Sequence, residues 1–398
     1  MTRCSAAASG RDGIEGPDVS AIHAVTLTQE LVRFDTRNPP GSEAQCAAML
    51  ADLLSSHGLS VTIHNFGSGR SNLVARFPIR ASKATQPPIL FTGHIDTVPL
   101  GLAAWSRDPF GAEIVDGRLY GRGSTDMKAG VAAMVAAVVA EADRLHEWSN
   151  VVLVITGGEE TGCEGAAALV RDRMLDPASL LVVGEPTGNS FVAGHKGALW
   201  LKACCSGRTA HGAMPHLGDN AIYKAARAVT KLESFGFNAA QHPVLGSATL
   251  NVGTIAGGLN INSVPDHAEL TIDVRTLPEM DSAALADQLS FTLGSDCKVS
   301  TILDLPAVWS DPKSPAMKLF SECRDAAAGW TSAAGGANFF TDASVFTPAL
   351  GGVETIICGP GDPEMAHKTD EYCEVARIGE AVEIYRAIIA RTGLQETP

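Results

Sequence analysis

Pro88-Ile89-Leu90-Phe91-Thr92-Gly93-His94-Ile95-Asp96 runs from an unbroken apolar stretch straight into an imidazole and a carboxylate. An apolar run with no polar alternation is the mark of a strand buried on both faces. The same shape returns at residues 151–156, which lead into Gly157-Gly158-Glu159-Glu160, and at residues 179–183, which lead into Gly184-Glu185-Pro186. Around these strands the spacing predicts a helix over 44–57, closed by Gly58 as a C-cap glycine. Strand-like runs follow at 59–66 and 72–77, and a long Ala/Val helix is expected over 126–145. Strands alternating with helices predict an α/β fold, its sheet covered on both faces. Ligands of such sheets sit beyond the carboxyl ends of the strands. His94, Glu159, Glu160 and Glu185 each fall just past such an end and are expected at one edge.

Between residues 194 and 303 the pattern changes to strand (198–205), helix (220–233), two strands (248–255 and 267–274), helix (281–293) and strand (297–303). That β-α-β-β-α-β order is a complete ferredoxin-like unit and reads as an inserted domain. The α/β pattern then resumes with a helix over 316–326, a strand over 353–358 and a last helix over 375–392. The expected division is a leader over 1–20, a main domain over 21–193 and 304–398, and an insertion over 194–303. A chain of 398 residues exceeds what one core usually holds, which agrees with two domains. The leader is rich in Ala, Ser and Gly without an apolar core, so it reads as disordered rather than as a signal peptide.

Composition narrows the function classes. The net charge is −14, and no Lys/Arg run stands out, which argues against a nucleic-acid partner. The longest apolar stretch, 129–140, spans about a dozen residues where a membrane span needs about twenty, so a buried helix is expected. Nine cysteines without a Cys-x-x-Cys pair read as reduced thiols of a cytoplasmic protein.

The chemistry-bearing residues are His and carboxylates, a donor set suited to zinc. In an extended segment, residues i and i+2 share a face, so Asp96 can accept the second imidazole N–H of His94 and fix its tautomer. Asp126 follows the Gly-rich turn Gly121-Arg122-Gly123-Ser124-Thr125; a helix cap and a phosphate loop are its competing readings. Of the adjacent Glu159 and Glu160, one can bind metal while the other faces a water as general base, unless the pair is merely a solvated loop. Glu185 ends a strand, and His367 lies in the loop Ala366-His367-Lys368-Thr369-Asp370-Glu371, where an exposed or structural role is the alternative.

Taken together, Gly93-His94-Ile95-Asp96-Thr97-Val98-Pro99, Gly121-Arg122-Gly123-Ser124-Thr125-Asp126-Met127-Lys128, Glu159-Glu160-Thr161-Gly162, Gly184-Glu185-Pro186-Thr187 and Ala366-His367-Lys368 come in a recognisable order. By these motifs the chain resembles the dinuclear zinc amidohydrolases and exopeptidases that include acetylornithine deacetylase, succinyl-diaminopimelate desuccinylase, aminoacylase and glutamate carboxypeptidase. The resemblance spans nearly the whole chain. It implies a zinc-peptidase-like catalytic domain with a central mixed sheet, and a lid that pairs two subunits. It also implies two Zn2+ per subunit, replaceable by Co2+ or Mn2+. One would be held by His94, Asp126 and Glu185, the other by Asp126, Glu160 and His367, with Glu159 as the base and Asp96 bracing His94.

The resemblance further implies that His211, in Thr209-Ala210-His211-Gly212, reaches the partner subunit's site as an oxyanion donor. It puts an amide at Asn262, a carboxylate-binding guanidinium at Arg275 and a substrate-facing glycine loop at Gly335 and Gly336; for His211 a surface role and for Arg275 a structural salt bridge are the alternatives. Relatives often carry Asp before the Glu-Glu pair, where this chain has Gly158, and Cys163 reads as a packed thiol. The expected activity is hydrolysis of the amide of an N-acyl amino acid by a homodimer that binds neither nucleic acid nor membrane. A dipeptidase or carboxypeptidase is the alternative, and a non-catalytic binding protein the remote one.

Overall fold

The computed structural model describes residues 23–78, 87–142, 144–145 and 151–392; the expected leader over 1–20 lies outside them. Among the described residues, nine strands form a central sheet in the order Ser60–Gly67, Arg70–Arg76, Val151–Thr156, Ile89–His94, Leu180–Val183, Thr355–Ile357, Val192–His195 and Val308–Trp309, with Gly335–Ala337 also pairing with Val192–His195. The sheet is mixed. Ile89–His94 runs parallel to Val151–Thr156 on one side and Leu180–Val183 on the other, while the outer strands Ser60–Gly67, Arg70–Arg76 and Val308–Trp309 are antiparallel to their neighbours. All residues of the three central strands are buried, as their unbroken apolar runs require.

Alternate residues of each strand enter opposite cores. Leu73, Ala75, Phe91, Leu153 and Ile155 pack with helices Ala44–Ser56, Ala129–Ala140, Pro315–Ala328 and Val375–Thr392. Val74, Leu90, Val152 and Val154 pack with Glu164–Arg171 and Ala343–Ala349. The Ala/Val helix is apolar around its circumference because it is covered all round: every residue but Ala140 is buried, against the sheet and against helices Ala24–Val32 and Val375–Thr392. No helix among the described residues is long and apolar enough to cross a membrane.

One expected boundary is corrected here. Regular helix begins at Ala129 rather than at 126, and residues 124–128 form an irregular turn in which Asp126 is extended, with φ −123° and ψ 96°. Helical periodicity cannot register that turn, because its backbone N–H groups are fixed by tertiary bonds described below.

Residues 197–305 build a second sheet in the order Thr249–Gly257, His267–Thr276, Gly197–Ser206, Cys297–Leu305, antiparallel throughout. Helices Ala221–Glu233 and Ser282–Leu293 cover one face, where Leu199, Leu201, Leu270 and Ile272 meet Ala225, Leu285 and Leu289. The expectation of reduced thiols throughout is overturned at one pair: Cys205 and Cys297 form a disulfide. They stand directly opposite each other on neighbouring strands, a register that brings together residues 92 apart in sequence. Cys46, Cys163, Cys204, Cys323, Cys358 and Cys373 are free.

Gly130 sits where the Ala/Val helix meets the end of a central strand; a Cβ there would lie 2.1 Å from the Gly184 carbonyl oxygen. Replacing a helical glycine by alanine ordinarily gains about 1 kcal/mol. A clash with backbone cannot be relieved by a rotamer, and such overpacking costs about 1–3 kcal/mol or more. Gly130→Ala should therefore lower the unfolding free energy in chemical denaturation; a more stable variant would show that this contact is not tight.

Candidate metal centre and active site

His94 is the last residue of Ile89–His94, in register with Thr156, and Thr92 is in register with Val183. The loops carrying Glu159, Glu160 and Glu185 therefore leave adjacent strands at one level. His94 Nε2 lies 3.2 Å from Asp126 Oδ1, 3.5 Å from Glu185 Oε1 and 3.9 Å from Glu159 Oε2. His367 Nε2 lies 3.2 Å from Asp126 Oδ2 and 3.2 Å from Glu160 Oε2. Each oxygen of Asp126 thus faces a different imidazole. Donor atoms of His94, Asp126 and Glu185 fall within 4.8 Å of one another, as do those of Asp126, Glu160 and His367.

The electrostatics follow from this crowding. Burial pushes the Glu159 and Glu185 carboxyls well above the usual carboxylate range against the pull of His94, with Glu185 adding to the rise of Glu159 and Asp126 and Glu160 adding to that of Glu185. Burial and Asp126 raise Glu160. Burial also disfavours charge on Asp126, but its bonds to His367 and His94 win and hold it low. Hydrogen bonds to Asp126 and Glu160 lift His367 to about 10. His94 is raised too, since Glu185, Asp126 and Asp96 outweigh the opposing effect of burial. Imidazole nitrogens and carboxylate oxygens at this spacing fit a pair of divalent cations of the zinc type. Glu160 Oε1, buried without a hydrogen-bond partner, leaves a lone pair for such a ligand.

Asp96 does more than the spacing suggested. The nearest acceptor for His94 Nδ1 is the Asp96 backbone carbonyl at 3.0 Å, with carboxylate Oδ1 at 3.4 Å. The carboxylate accepts from the backbone N–H of Glu159 at 3.2 Å, from that of Glu160 at 3.3 Å, and from Asn38 Nδ2 at 3.0 Å. One buried acid thereby orders the histidine and the Glu-Glu turn together. Gly158 in that turn has φ +77°, and a Cβ there would meet the Arg70 guanidinium, which is held by Glu43 and Glu164. Cys163 is buried, with its thiol pushed well above its ordinary range, first by burial.

Glu371 was not singled out by sequence for any role. It is fully buried, and burial lifts it to about 7 against the pull of Arg122. Its carboxylate accepts from Arg122 Nη1 at 2.6 Å and from the backbone N–H groups of Gly123, Thr125 and Asp126 at 3.1, 2.9 and 3.1 Å. This is what fixes the irregular turn carrying Asp126. The available signal was the acid four residues after His367. Asn38 and the Thr156–Asp342 hydrogen bond, also in this layer, had no comparable signal.

A cavity of about 390 Å³ opens over the cluster, lined by Asp126, Glu159, Glu160, Glu185 and His367 together with Arg275, Trp200 and Phe340. Arg275 also forms the salt bridge weighed as its alternative, to Asp273 at 3.1 Å. His211 and Asn262 are exposed and do not line this cavity; they sit beside each other on the ribbon of Ala210–His211 and Ser263–Val264, with Gly212 N–H donating to the Asn262 carbonyl. Gly335 and Gly336 lie on the strand beside Val192–His195 and do not line it either.

Residues 90–391 match the model of peptidase family M20/M25/M40. A probable succinyl-diaminopimelate desuccinylase of Staphylococcus aureus is 31% identical, covering 89% of this chain and 95% of its own. Among solved structures, a metallo-carboxypeptidase of Sulfolobus solfataricus superposes with a TM-score of 0.80 at 18% identity, covering 93% of this chain and 99% of its own. A dinuclear metal-binding peptidase of Bacillus subtilis gives 0.69 at 15% identity, covering 93% and 98%.

Glu371→Ala would strand the buried Arg122 charge and three backbone N–H groups. Breaking a buried pair on one side costs about 3–5 kcal/mol. We expect that loss in chemical denaturation, together with reduced metal content after gel filtration. Wild-type stability and metal content would sink the anchoring role.

Proposed function

The chain belongs to peptidase family M20/M25/M40 and is a metal-dependent amidohydrolase, and we propose that it removes the acyl group from an N-acyl amino acid. The observation that carries this reading is a pair of His/carboxylate triads sharing Asp126, with Glu159 beside them on a cavity that also holds Arg275. Two Zn2+, replaceable by Co2+ or Mn2+, would be held by His94, Asp126 and Glu185 and by Asp126, Glu160 and His367. When bound, such ions supply Lewis acidity to the scissile carbonyl and bring the pKa of the attacking water to about 7.

Glu159 takes the proton of that water and delivers it to the leaving amine; its burial, which favours the protonated form, suits the second half of that task. Asp96 keeps Glu159 and His94 in place through the bonds described above. Arg275 receives the substrate carboxylate, with Asp273 holding the guanidinium. Residues 194–303 act as lid and dimerisation domain against the catalytic part formed by 21–193 and 304–398. Thr249–Gly257 is an edge strand, and Ile255, Leu259, Ile261 and Tyr223 are exposed near it, which supports pairing with a second copy. His211 and Asn262, exposed on their own subunit, then complete the partner's site, and Gly335-Gly336 approaches the substrate backbone. Six free thiols among the described residues support a reducing, cytoplasmic setting, against which the Cys205–Cys297 pair counts.

A carboxypeptidase or dipeptidase would use the same groups. The position of Arg275 on the cavity, where it would take a peptide's terminal carboxylate, favours keeping the carboxypeptidase reading beside the first.

Glu159→Gln should retain the metal content of the wild type while losing about 10²- to 10⁴-fold in turnover, measured on N-acyl amino acids. Turnover left near wild type would remove Glu159 as base. His211→Ala should retain metal and turn over slowly. Mixing it with Glu159→Gln should restore activity, because one site of each hybrid dimer then has an intact base and an intact partner histidine. Hybrid dimers without recovery would argue that His211 does not act across the subunits.

A further inference from the structure

Arg275 is the only Lys or Arg among the described residues that line the cavity, and apart from the acidic and imidazole cluster the remaining lining is apolar, including Trp200, Phe339 and Phe340. Trp200 and Asp273 are direct cross-strand neighbours, and Arg275, two residues on, shares their face of the second sheet. That face is opposite the one covered by the two helices, since the alternate residues Leu199, Leu201, Ile272 and Val274 are the ones in the helix-packed core. Trp200 Nε1 donates to Asp273 Oδ1 at 3.1 Å, and Arg275 Nε and Nη2 donate to Asp273 Oδ2 at 3.3 and 3.1 Å. The Phe340 ring lies 6.0 Å from Trp200 at a 71° angle and 5.8 Å from the guanidinium carbon of Arg275. The result is one fixed cation beside a single aromatic wall, in which Trp200 and Phe340 meet edge to face.

We propose that Trp200 and Phe340 are specificity-determining residues, selecting a substrate with a single carboxylate, held by Arg275, and a large apolar side chain packed against the wall that the two rings form. This rests on the amide-hydrolase reading above and narrows it. A substrate with several carboxylates, of the N-succinyl-diaminopimelate kind, would bring charges into the cavity for which the described lining offers no second guanidinium or ammonium, and an unpaired buried charge is strongly disfavoured. A large apolar side chain instead removes its own surface and that of the two rings from water. Since one methylene in an apolar pocket discriminates by about 10- to 200-fold, a whole aromatic or branched side chain should be preferred by at least tenfold.

The test measures kcat/KM of the zinc-loaded enzyme on N-acetyl-L-phenylalanine, N-acetyl-L-leucine, N-acetylglycine, N-acetyl-L-aspartate and N-succinyl-diaminopimelate. The expected order places phenylalanine and leucine at least tenfold above the others. Trp200→Ala and Phe340→Ala should each shrink the phenylalanine-to-glycine ratio by about tenfold, mainly through KM. Preference for aspartate or succinyl-diaminopimelate, or an unchanged ratio in both variants, would overturn the proposal. Calorimetric binding of N-acetyl-L-phenylalanine and N-acetyl-L-aspartate to zinc-loaded Glu159→Gln separates it from the hydrolase reading. Selective binding of the phenylalanine derivative without turnover by the wild type would sink that reading and keep this one, whereas equal or weaker binding than the aspartate derivative sinks this one.

Discussion

Four carboxylates in one cluster, three of them gathered around a shared aspartate in a site mostly closed to water, are the constraint from which the rest of this molecule follows. Two like charges about 4 Å apart repel by roughly 4 kcal/mol even at an effective dielectric near 20. Asp126, Glu159, Glu160 and Glu185 stand together at one end of a buried sheet, and among the described residues only His94 and His367 are cationic neighbours within salt-bridge reach. The raised carboxyls and raised imidazoles are the response of the protein alone: protons are retained where charge is too dense. Divalent cations would be the other means of compensation, taking the place of those protons.

Holding such a cluster requires rigid loops, and neither helix nor strand supplies them. Two further buried acids do. Asp96 collects the N–H groups of the Glu159-Glu160 turn, and Glu371 collects those of Gly123, Thr125 and Asp126. In each case a carboxylate substitutes for the regular backbone ladder that the loop lacks, which orients the ligand side chains while leaving the loop irregular. Glu371 can sit there because Arg122 neutralises it, and the same guanidinium also donates to the carbonyls of Pro99 and His367, joining three ligand-bearing segments at one point.

This arrangement explains what could be read from sequence. The strands around His94, Glu160 and Glu185 were legible because burial on both faces writes an unbroken apolar run, and Val151–Thr156 and Val375–Thr392 fall at the expected residues. His94, Glu160 and Glu185 were legible because each follows such a run and Asp126 because it follows a glycine-rich turn, whereas His367, in a loop without pattern, was found only through the resemblance. The supports were not. Glu371 acts on residues nearly 250 positions earlier, Asn38 lies in a proline turn with no periodicity, and Cys205 meets Cys297 only through strand register. Short elements such as Val308–Trp309 and Gly335–Ala337 are set by pairing with Val192–His195 and carry no pattern of their own.

The second sheet enters the chemistry by a different route. Its helix-covered face is an ordinary apolar core, so its other face is free to vary, and there it presents Trp200, Asp273 and Arg275. Asp273 joins the other two by accepting from both, which removes the rotamer freedom that a lone arginine would have to lose on binding. The central sheet thus carries the carboxylate and imidazole cluster, and the second sheet faces the same cavity with Trp200 and Arg275. On the proposed reading, substrate preference would change by substitution on this one sheet face, without disturbing the charge balance of the acidic and imidazole cluster.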